Sequence, residues 1–434
     1  MGGRIRPPEW EREDRRQRAV LVGVDSGDRE WPVEESLGEL TRLAETFHCD
    51  VVAQTFQRVD RIRVHTLLGP GKIEEVVQLA KSFSADLVII DGELTPRQDA
   101  ALADSFGDVR VMDRTGLILQ IFAEHAASKE GKLQVELAQL EYLLPRLRGM
   151  WGHLVKERLG GGKGAIFGAG ESQLETDRRL VRKRISVVRS QLKRVASSRA
   201  TQRSQRRASG VFRIALVGYT NAGKSTLMNA LTGSDVIAYD MLFATLDSTT
   251  RRLVLPDGRT VTLTDTVGFI NKLPHGLVEA FKSTLDEVGE ADLLLHVIDA
   301  SHSQAIAQAN AVRGVLADIG ADDVLQIEVL NKIDQTSDDQ LARLTGHFDT
   351  PVSTSGLTGV GLDVLVDRII HEAARASRVL NLVIPYTRGD IVMLAYEQAH
   401  VIAESHNEIG TNLTARVPSK LLGKFEEFTE NQQG

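Results

Sequence analysis

Gly218-Tyr219-Thr220-Asn221-Ala222-Gly223-Lys224-Ser225 lies between Val211-Phe212-Arg213-Ile214-Ala215-Leu216-Val217 and Thr226-Leu227-Met228-Asn229-Ala230-Leu231. The first flank is an apolar run that reads as a buried strand, and the second reads as the start of a helix. A glycine, four residues and then Gly-Lys-Ser in that setting is the pattern of a phosphate-binding loop. Its backbone N–H groups wrap a polyphosphate, and the helix N-terminus adds its positive end. In such a loop Lys224 reaches the β- and γ-phosphates and Ser225 ligates Mg²⁺, with Gly218 through Thr226 as the binding segment. The alternative is a chance match on an ordinary glycine turn.

The chain downstream narrows that choice. Val261-Thr262-Leu263-Thr264 reads as a strand that ends in Asp265-Thr266-Val267-Gly268. A carboxylate at that strand end can hold Mg²⁺, and an N–H at Gly268 can approach a γ-phosphate with no side chain in the way. Val324 to Leu330 leads into Asn331-Lys332-Ile333-Asp334. The two oxygens of Asp334 can accept both N–H groups on one edge of guanine, whereas adenine would leave a buried carboxylate unpaired. Ser355-Gly356-Leu357 is the weaker last element, expected to set backbone against the guanine carbonyl. In this order the segments resemble the translation-factor branch of the P-loop GTPases. In Phe243-Ala244-Thr245-Leu246-Asp247, Thr245 stands where that branch keeps its first switch threonine; a surface threonine is the alternative. Phe269 follows Gly268, at the place where Ras-like proteins carry a water-orienting glutamine. Either a partner supplies the missing group and intrinsic turnover is slow, or Phe269 simply packs and another group orients the water.

The 434 residues suffice for two to four domains, and the single cysteine, Cys49, fits a reducing compartment. No apolar run follows the basic start, and runs such as Leu87-Val88-Ile89-Ile90 are short, so neither a signal peptide nor a membrane span is expected. A soluble, cytoplasmic monomer is the expectation. The net charge of −7 argues against a generic nucleic-acid binder, yet the charge is uneven: residues 146–207 hold seventeen Lys/Arg against four Asp/Glu. From Arg178 the run is dense and no acid follows Asp177 within it. Repulsion between like charges a helical turn apart makes a polyanionic partner the favoured explanation, with a solvated helix face as the alternative. Lys163, Arg178, Arg179, Arg182, Lys183 and Arg184 are the candidate RNA contacts.

The expected fold is multidomain α/β. Residues 1–16 read as a disordered tail, and 17–115 as an N-terminal α/β domain whose alternating strands and helices imply a parallel sheet. Within it, Leu68-Gly69-Pro70-Gly71-Lys72 lacks the phosphate-loop spacing and reads as a turn and helix start, with a second nucleotide site as a weak option. Residues 116–208 read as an antiparallel helical hairpin. Its arms carry heptad seams at Leu133, Leu137, Leu140, Leu144 and Leu147 and at Val181, Ile185, Val188, Leu192 and Val195. Pro145 is expected to kink the first arm, and the glycine-rich tip loop spans 159–171. Residues 209–375 form the nucleotide domain, with a mixed, mostly parallel sheet. A small α+β domain, 376–434, closes the chain with a hairpin and a last helix over Ser419 to Phe428 capped by Ser419.

At this point the residues name a family. Leu67-Leu68-Gly69-Pro70-Gly71-Lys72, Asp113 to Phe122, Gly131 to Leu140 and Glu171 to Arg179, together with the Gly218 loop, resemble the HflX family of ribosome-associated GTPases over nearly the full chain. The resemblance implies GTP, GDP and Mg²⁺ as ligands and the large ribosomal subunit and its RNA as partner. It also implies a hairpin tip directed at the peptidyl-transferase region, and splitting of stalled or idle ribosomes by the GTP-bound form under stress. Two positions depart from the family pattern. Phe167-Gly168-Ala169-Gly170-Glu171 replaces the usual Arg-Gly-Pro-Gly-Glu, which removes a phosphate contact and some stiffness, and Gln120 stands where an aspartate is common. The rival expectations are a GTPase of subunit assembly or of another RNA, and an RNA-binding module that senses nucleotide with negligible turnover.

Overall fold

Strand and helix alternate from residue 17 to residue 113 in the order their apolar periodicity predicts. The structure, a computed structural model, describes residues 16–25, 27, 31–58, 65–158, 167–208, 211–233, 241–243, 245–271 and 287–429. The chain divides into two compact units. The first comprises Met1–Leu192, Asp240–Ala244 and Lys272–Phe281; the second comprises Lys193–Tyr239, Thr245–Asn271 and Lys282–Gly434.

In the first unit β1 (Gln17–Asp25), β2 (Cys49–Arg58), β3 (Leu87–Ile90) and β4 (Arg110–Asp113) form a parallel sheet in the order β2-β1-β3-β4. The central strands are buried on both faces, so they read as unbroken apolar runs and do not alternate. The crossovers are α1 (Val33–Thr46), α2 (Pro70–Ser82) and α3 (Pro96–Phe106), the last begun by a capping box between Thr95 and Gln98. At the start of α2 the Gly69 N–H donates to Gln57 Oε1, and Lys72 bonds Thr55 and Glu75. This glycine turn starts a helix, as its spacing predicts, and the Gly69 N–H and the Lys72 ammonium are engaged within the fold.

Asp113 ends β4 and caps α4 (Arg114–His125). Its Oδ1 accepts from the Gly116 N–H and the Tyr142 hydroxyl, each at 2.7 Å. Its Oδ2 accepts from the Leu94 N–H at 2.9 Å and from Arg146 at 3.3 Å. Arg114, fully buried, pairs with Asp91 at 2.9 Å and with Glu39. Asp113-Arg114 is thus a set of internal ties.

Two long helices follow, α5 (Lys129–Arg158) and α6 (Phe167–Ala208). Leu133, Leu137, Ile185 and Val188 are buried against each other, with Leu140, Leu144, Val181 and Leu192 packed beside them, which is the predicted heptad seam. α5 runs unbroken through Pro145. α6 starts at Phe167, so residues 167–171 of the predicted tip loop are helical. Residues 159–166, with Lys163, lie outside the described residues.

The second unit holds β5 (Phe212–Gly218), α7 (Lys224–Thr232), β6 (Thr249–Val254), β7 (Thr260–Asp265), β8 (Leu293–Asp299), α8 (Ala305–Asp318), β9 (Gln326–Asn331), α9 (Asp338–His347), β10 (Val352–Ser353) and α10 (Leu362–Arg375). The sheet order is β10-β9-β8-β5-β7-β6, and only β6 is antiparallel to its neighbour. Ile214, Leu216, Leu263, Leu295, Val297 and Val329 lie in its core. In β8, beside the phosphate-loop strand, His296 is fully buried and neither ring nitrogen has a hydrogen-bond partner among the described residues.

A separate antiparallel sheet, β11 (Ser377–Pro385), β13 (Gly410–Pro418) and β12 (His400–His406), packs against α11 (Gly389–Gln398). The predicted last helix is instead a 3₁₀ turn, Ser419–Leu421, a short α12 (Leu422–Phe425) and a second 3₁₀ turn, Glu426–Phe428. Tight turns place residues three apart on one side, so both Phe425 and Phe428 reach the core. Pro418, not Ser419, stands at the N-cap, and the Ser419 hydroxyl donates to the Arg375 carbonyl. Among the described residues no helix is long and apolar enough to cross a membrane.

Candidate nucleotide-binding site

The C-terminal end of β5 turns at Gly218 into the loop, and α7 begins at Lys224 with Gly223 as its left-handed cap (φ +89°). A Cβ at Gly223 would lie 2.3 Å from Asn331 Nδ2, so the site needs glycine for space as well as for conformation. The Lys224 ammonium donates to the carbonyls of Gly218 (3.1 Å) and Tyr219 (2.9 Å) inside the loop. Burial pushes its pKa down to about 8, with nearby Asp265 opposing the shift and Lys332 adding to it. A buried ammonium bonded only to carbonyls gains strongly from an incoming anion. Asn221 takes a left-handed conformation, which asparagine tolerates. Thr226 follows in the first turn of α7.

Three oxygen groups converge at the head of the loop. Ser225 Oγ donates to Asp265 Oδ2 at 2.6 Å, Thr245 Oγ1 lies 3.2 Å from the same oxygen, and the two hydroxyls are 3.0 Å apart. Asp265 Oδ1 is buried with no hydrogen-bond partner among the described residues. Burial raises the pKa of this carboxyl against the pull of Lys224 and the two hydroxyls. A hard oxygen set with one orphaned carboxylate oxygen fits Mg²⁺. Thr249 and Thr250, the other threonines nearby, open β6, and Thr250 bonds Thr264.

Past Asp265 the chain is stitched to the loop through its backbone. Thr266 Oγ1 donates to the Leu216 carbonyl at 2.7 Å. The Phe269 N–H donates to the Gly218 carbonyl, and the Thr220 N–H donates to the Phe269 carbonyl at 2.7 Å. The Asn271 N–H reaches the Tyr219 hydroxyl. Val267 and Phe269 are buried, so the Phe269 ring packs. A Cβ at Gly268 would sit 2.8 Å from Thr220 Cα, which explains the glycine there.

On the opposite side Asn331 joins three segments. Its Nδ2 donates to the Ala222 carbonyl at 2.9 Å, and its Oδ1 accepts from the Gly356 N–H at 3.0 Å, with Thr354 Oγ1 at 3.5 Å. Asp334 is exposed, and one of its oxygens accepts from buried Ser355 at 2.6 Å, leaving carboxylate free to face a base. Leu357, two residues after Ser355, is 74% exposed. Lys332 is oriented by Asp299 at 2.8 Å. The sequence reading missed Asp299, although an aspartate closing an apolar strand next to the loop strand was a usable signal.

The other expected contacts divide. Ala244 and Lys163 lie outside the described residues. Phe243 and Leu246 are buried in packing, Asp247 is half-buried, and Thr245 reaches the polar cluster. Arg184 is not a free cation: Glu136 on the facing arm takes it with two bonds, at 2.5 and 2.8 Å, and Glu141 takes Arg189. For these two cations of α6 the counter-charges come from α5, far away in sequence. Arg182 is near Glu175 at 3.6 Å, with both side chains exposed. Arg179 and Lys183 are exposed and Arg178 is half-buried.

Three family descriptions match the chain: GTP-binding GTPase N-terminal over residues 34–123, GTP-binding GTPase Middle Region over 125–206, and 50S ribosome-binding GTPase over 213–332. A GTPase HflX of Caldanaerobacter subterraneus is 45% identical, covering 95% of this chain and 94% of its own. A GTPase HflX of Lacrimispora saccharolytica is 42% identical, covering 95% and 96%. Among solved structures, a GTP-binding protein of Sulfolobus solfataricus in complex with GDP is 25% identical, covering 82% of this chain and 99% of its own at TM-score 0.42.

Proposed function

The chain belongs to the HflX family of GTPases, and from that premise we propose that it hydrolyses GTP in the cytoplasm on the large ribosomal subunit and splits stalled or idle ribosomes in its GTP-bound form. The observation that carries the site assignment is the convergence of Ser225, Thr245 and Asp265 at the head of the lysine-bearing loop. In this reading Lys224 exchanges its two carbonyl partners for β- and γ-phosphate oxygens. Backbone N–H groups of the loop and of Gly268 donate to the phosphates. Asp334 accepts from guanine while Ser355 holds the other side of its carboxylate. Ser225, Asp265 and Thr245 would hold Mg²⁺, which when bound would supply neutralisation of phosphate charge.

Phe269 contributes only its backbone to the loop. Its ring cannot orient a water, so intrinsic turnover is slow and the subunit supplies or positions the missing group. The exposed cations of α6, Arg179 and Lys183 with Arg178 and Arg182 beside them, bond phosphates of ribosomal RNA. Departure of the γ-phosphate frees Thr245, and the GDP form leaves the subunit.

The test is GTP turnover by the purified chain, alone and with large subunits at fixed salt, followed by sedimentation of intact ribosomes. A slow basal rate raised strongly by the subunit, with ribosomes separated in the presence of GTP, supports the proposal. Stimulation without separation transfers the activity to subunit assembly. Absent stimulation leaves a nucleotide sensor, the second reading that Phe269 favours.

A further inference from the structure

Two residues before Thr245 the chain is gripped by a helix more than a hundred positions upstream. Phe243 has a left-handed backbone (φ +58°), which a bulky L residue adopts only when its surroundings hold it there. Its side chain is 2% exposed. Its ring meets the Phe122 ring edge-on, centroids 4.6 Å apart and planes at 78°. Its carbonyl oxygen lies 2.8 Å from Nδ1 of His125; a carbonyl only accepts, so that nitrogen carries the hydrogen. Phe122 and His125 are three apart on α4 and present one face. The chain passes from the first compact unit to the second between Ala244 and Thr245.

We infer that Phe243 is a positioning residue for Thr245, and that the clasp of Phe122 and His125 on it makes affinity for GTP, but not for GDP, depend on α4. Two residues of extended chain reach roughly 7 Å at most, so the place of Phe243 limits where the Thr245 hydroxyl can go. Within the second unit Thr245 meets Ser225 and Asp265, and within the first Phe243 sits in its clasp; the chain itself joins the two seatings. The inference rests on the assignment of Thr245 as the switch threonine, which serves a nucleotide with a γ-phosphate and is idle with GDP. Linkage is reciprocal: whatever α4 adds to GTP affinity, GTP adds to the hold of α4 on Phe243. Nucleotide state is then legible at α4, which Asp113 caps and ties to the first arm of the hairpin.

The experiment uses the full chain with Mg²⁺ and measures dissociation constants for fluorescent GDP and for a fluorescent non-hydrolysable GTP analogue. The variants are His125→Ala, Phe122→Leu and Thr245→Ala. His125 is only part-buried, so His125→Ala keeps the fold, and an unchanged melting temperature checks it. The expected result is analogue binding weakened roughly fivefold or more by each variant, with GDP binding within about twofold of the parent. Equal weakening of both nucleotides by His125→Ala and Phe122→Leu, or no weakening of either, overturns the inference. If Thr245→Ala discriminates between the nucleotides while the two α4 variants do not, the clasp alone is refuted. If Thr245→Ala does not discriminate, the assignment of the switch threonine fails and the inference falls with it.

Discussion

Acid should loosen the sheet beneath the phosphate loop through one side chain, His296. The imidazole is fully buried in β8, and neither nitrogen has a hydrogen-bond partner among the described residues. Burial, aided by the charges of Arg313 and Lys224, pushes its pKa from 6.5 down to about 3. The unfolded chain takes a proton below 6.5 that the folded chain refuses until about 3, so stability is full above 6.5 and falls across that window. At about 1.4 kcal/mol per pH unit, roughly 2–3 kcal/mol is lost from this residue by pH 4.5. His296→Leu removes the titration and an unbonded polar ring together. It should stabilise the strand by about 1–3 kcal/mol at pH 7.5, with the gap widening by the further 2–3 kcal/mol at pH 4.5. Amide exchange of β8 and β5 peptides, parent against variant at the same pH, cancels the intrinsic rates and reads the local opening free energy. A gap equal at pH 7.5 and pH 4.5 would refute the reasoning, because it would mean that His296 titrates normally in the fold.

Other outcomes follow from the same site. Asp334→Asn should weaken guanine nucleotides about 100-fold, since the two charge-assisted bonds are each worth about 1.5–3 kcal/mol; titration with GDP checks it. Lys224, at about 8 in the free protein, is raised by a bound polyphosphate; nucleotide affinity should be flat below pH 8 and fall towards about tenfold per unit above it, with proton uptake visible by calorimetry. Gly223→Ala forces a Cβ against Asn331 at a positive φ and should cost about 2 kcal/mol or more, seen as a lower melting temperature together with weaker GDP binding. Arg179→Ala or Lys183→Ala should each flatten the salt dependence of large-subunit binding by about one unit of slope, while Arg184→Ala, whose partner is Glu136, should leave that slope unchanged.

What the sequence made legible was local. The loop, the strand leading into it and the helix after it are contiguous, so their geometry is written in one stretch. The heptads of α5 and α6 announced their seam because apolar spacing is itself the packing surface. What it concealed depends on partners distant along the chain. Arg184 and Arg189 looked uncompensated because Glu136 and Glu141 lie 48 residues upstream of them. Asp299 holds Lys332 only because β8 and β9 are neighbours. The last helix divides into two 3₁₀ turns around one short α-turn, and the i, i+3 spacing of Phe425 and Phe428 suits either helix type, so no local pattern announced the division. Phe243 fell inside a motif expected to touch nucleotide, and no local pattern shows that its ring belongs to Phe122.

Asp113 can be described by counting. A carboxylate has about four lone-pair directions, and here four donors arrive: two on Oδ1 and two on Oδ2. Nothing is left over. Asparagine has nearly the same outline but would keep one oxygen and turn its own N–H groups on two of the donors, leaving them without that acceptor. Position 113 therefore selects for valence where most buried positions select for volume. The base of the hairpin is located by a chemical count that no apolar residue, and no neutral look-alike, can satisfy.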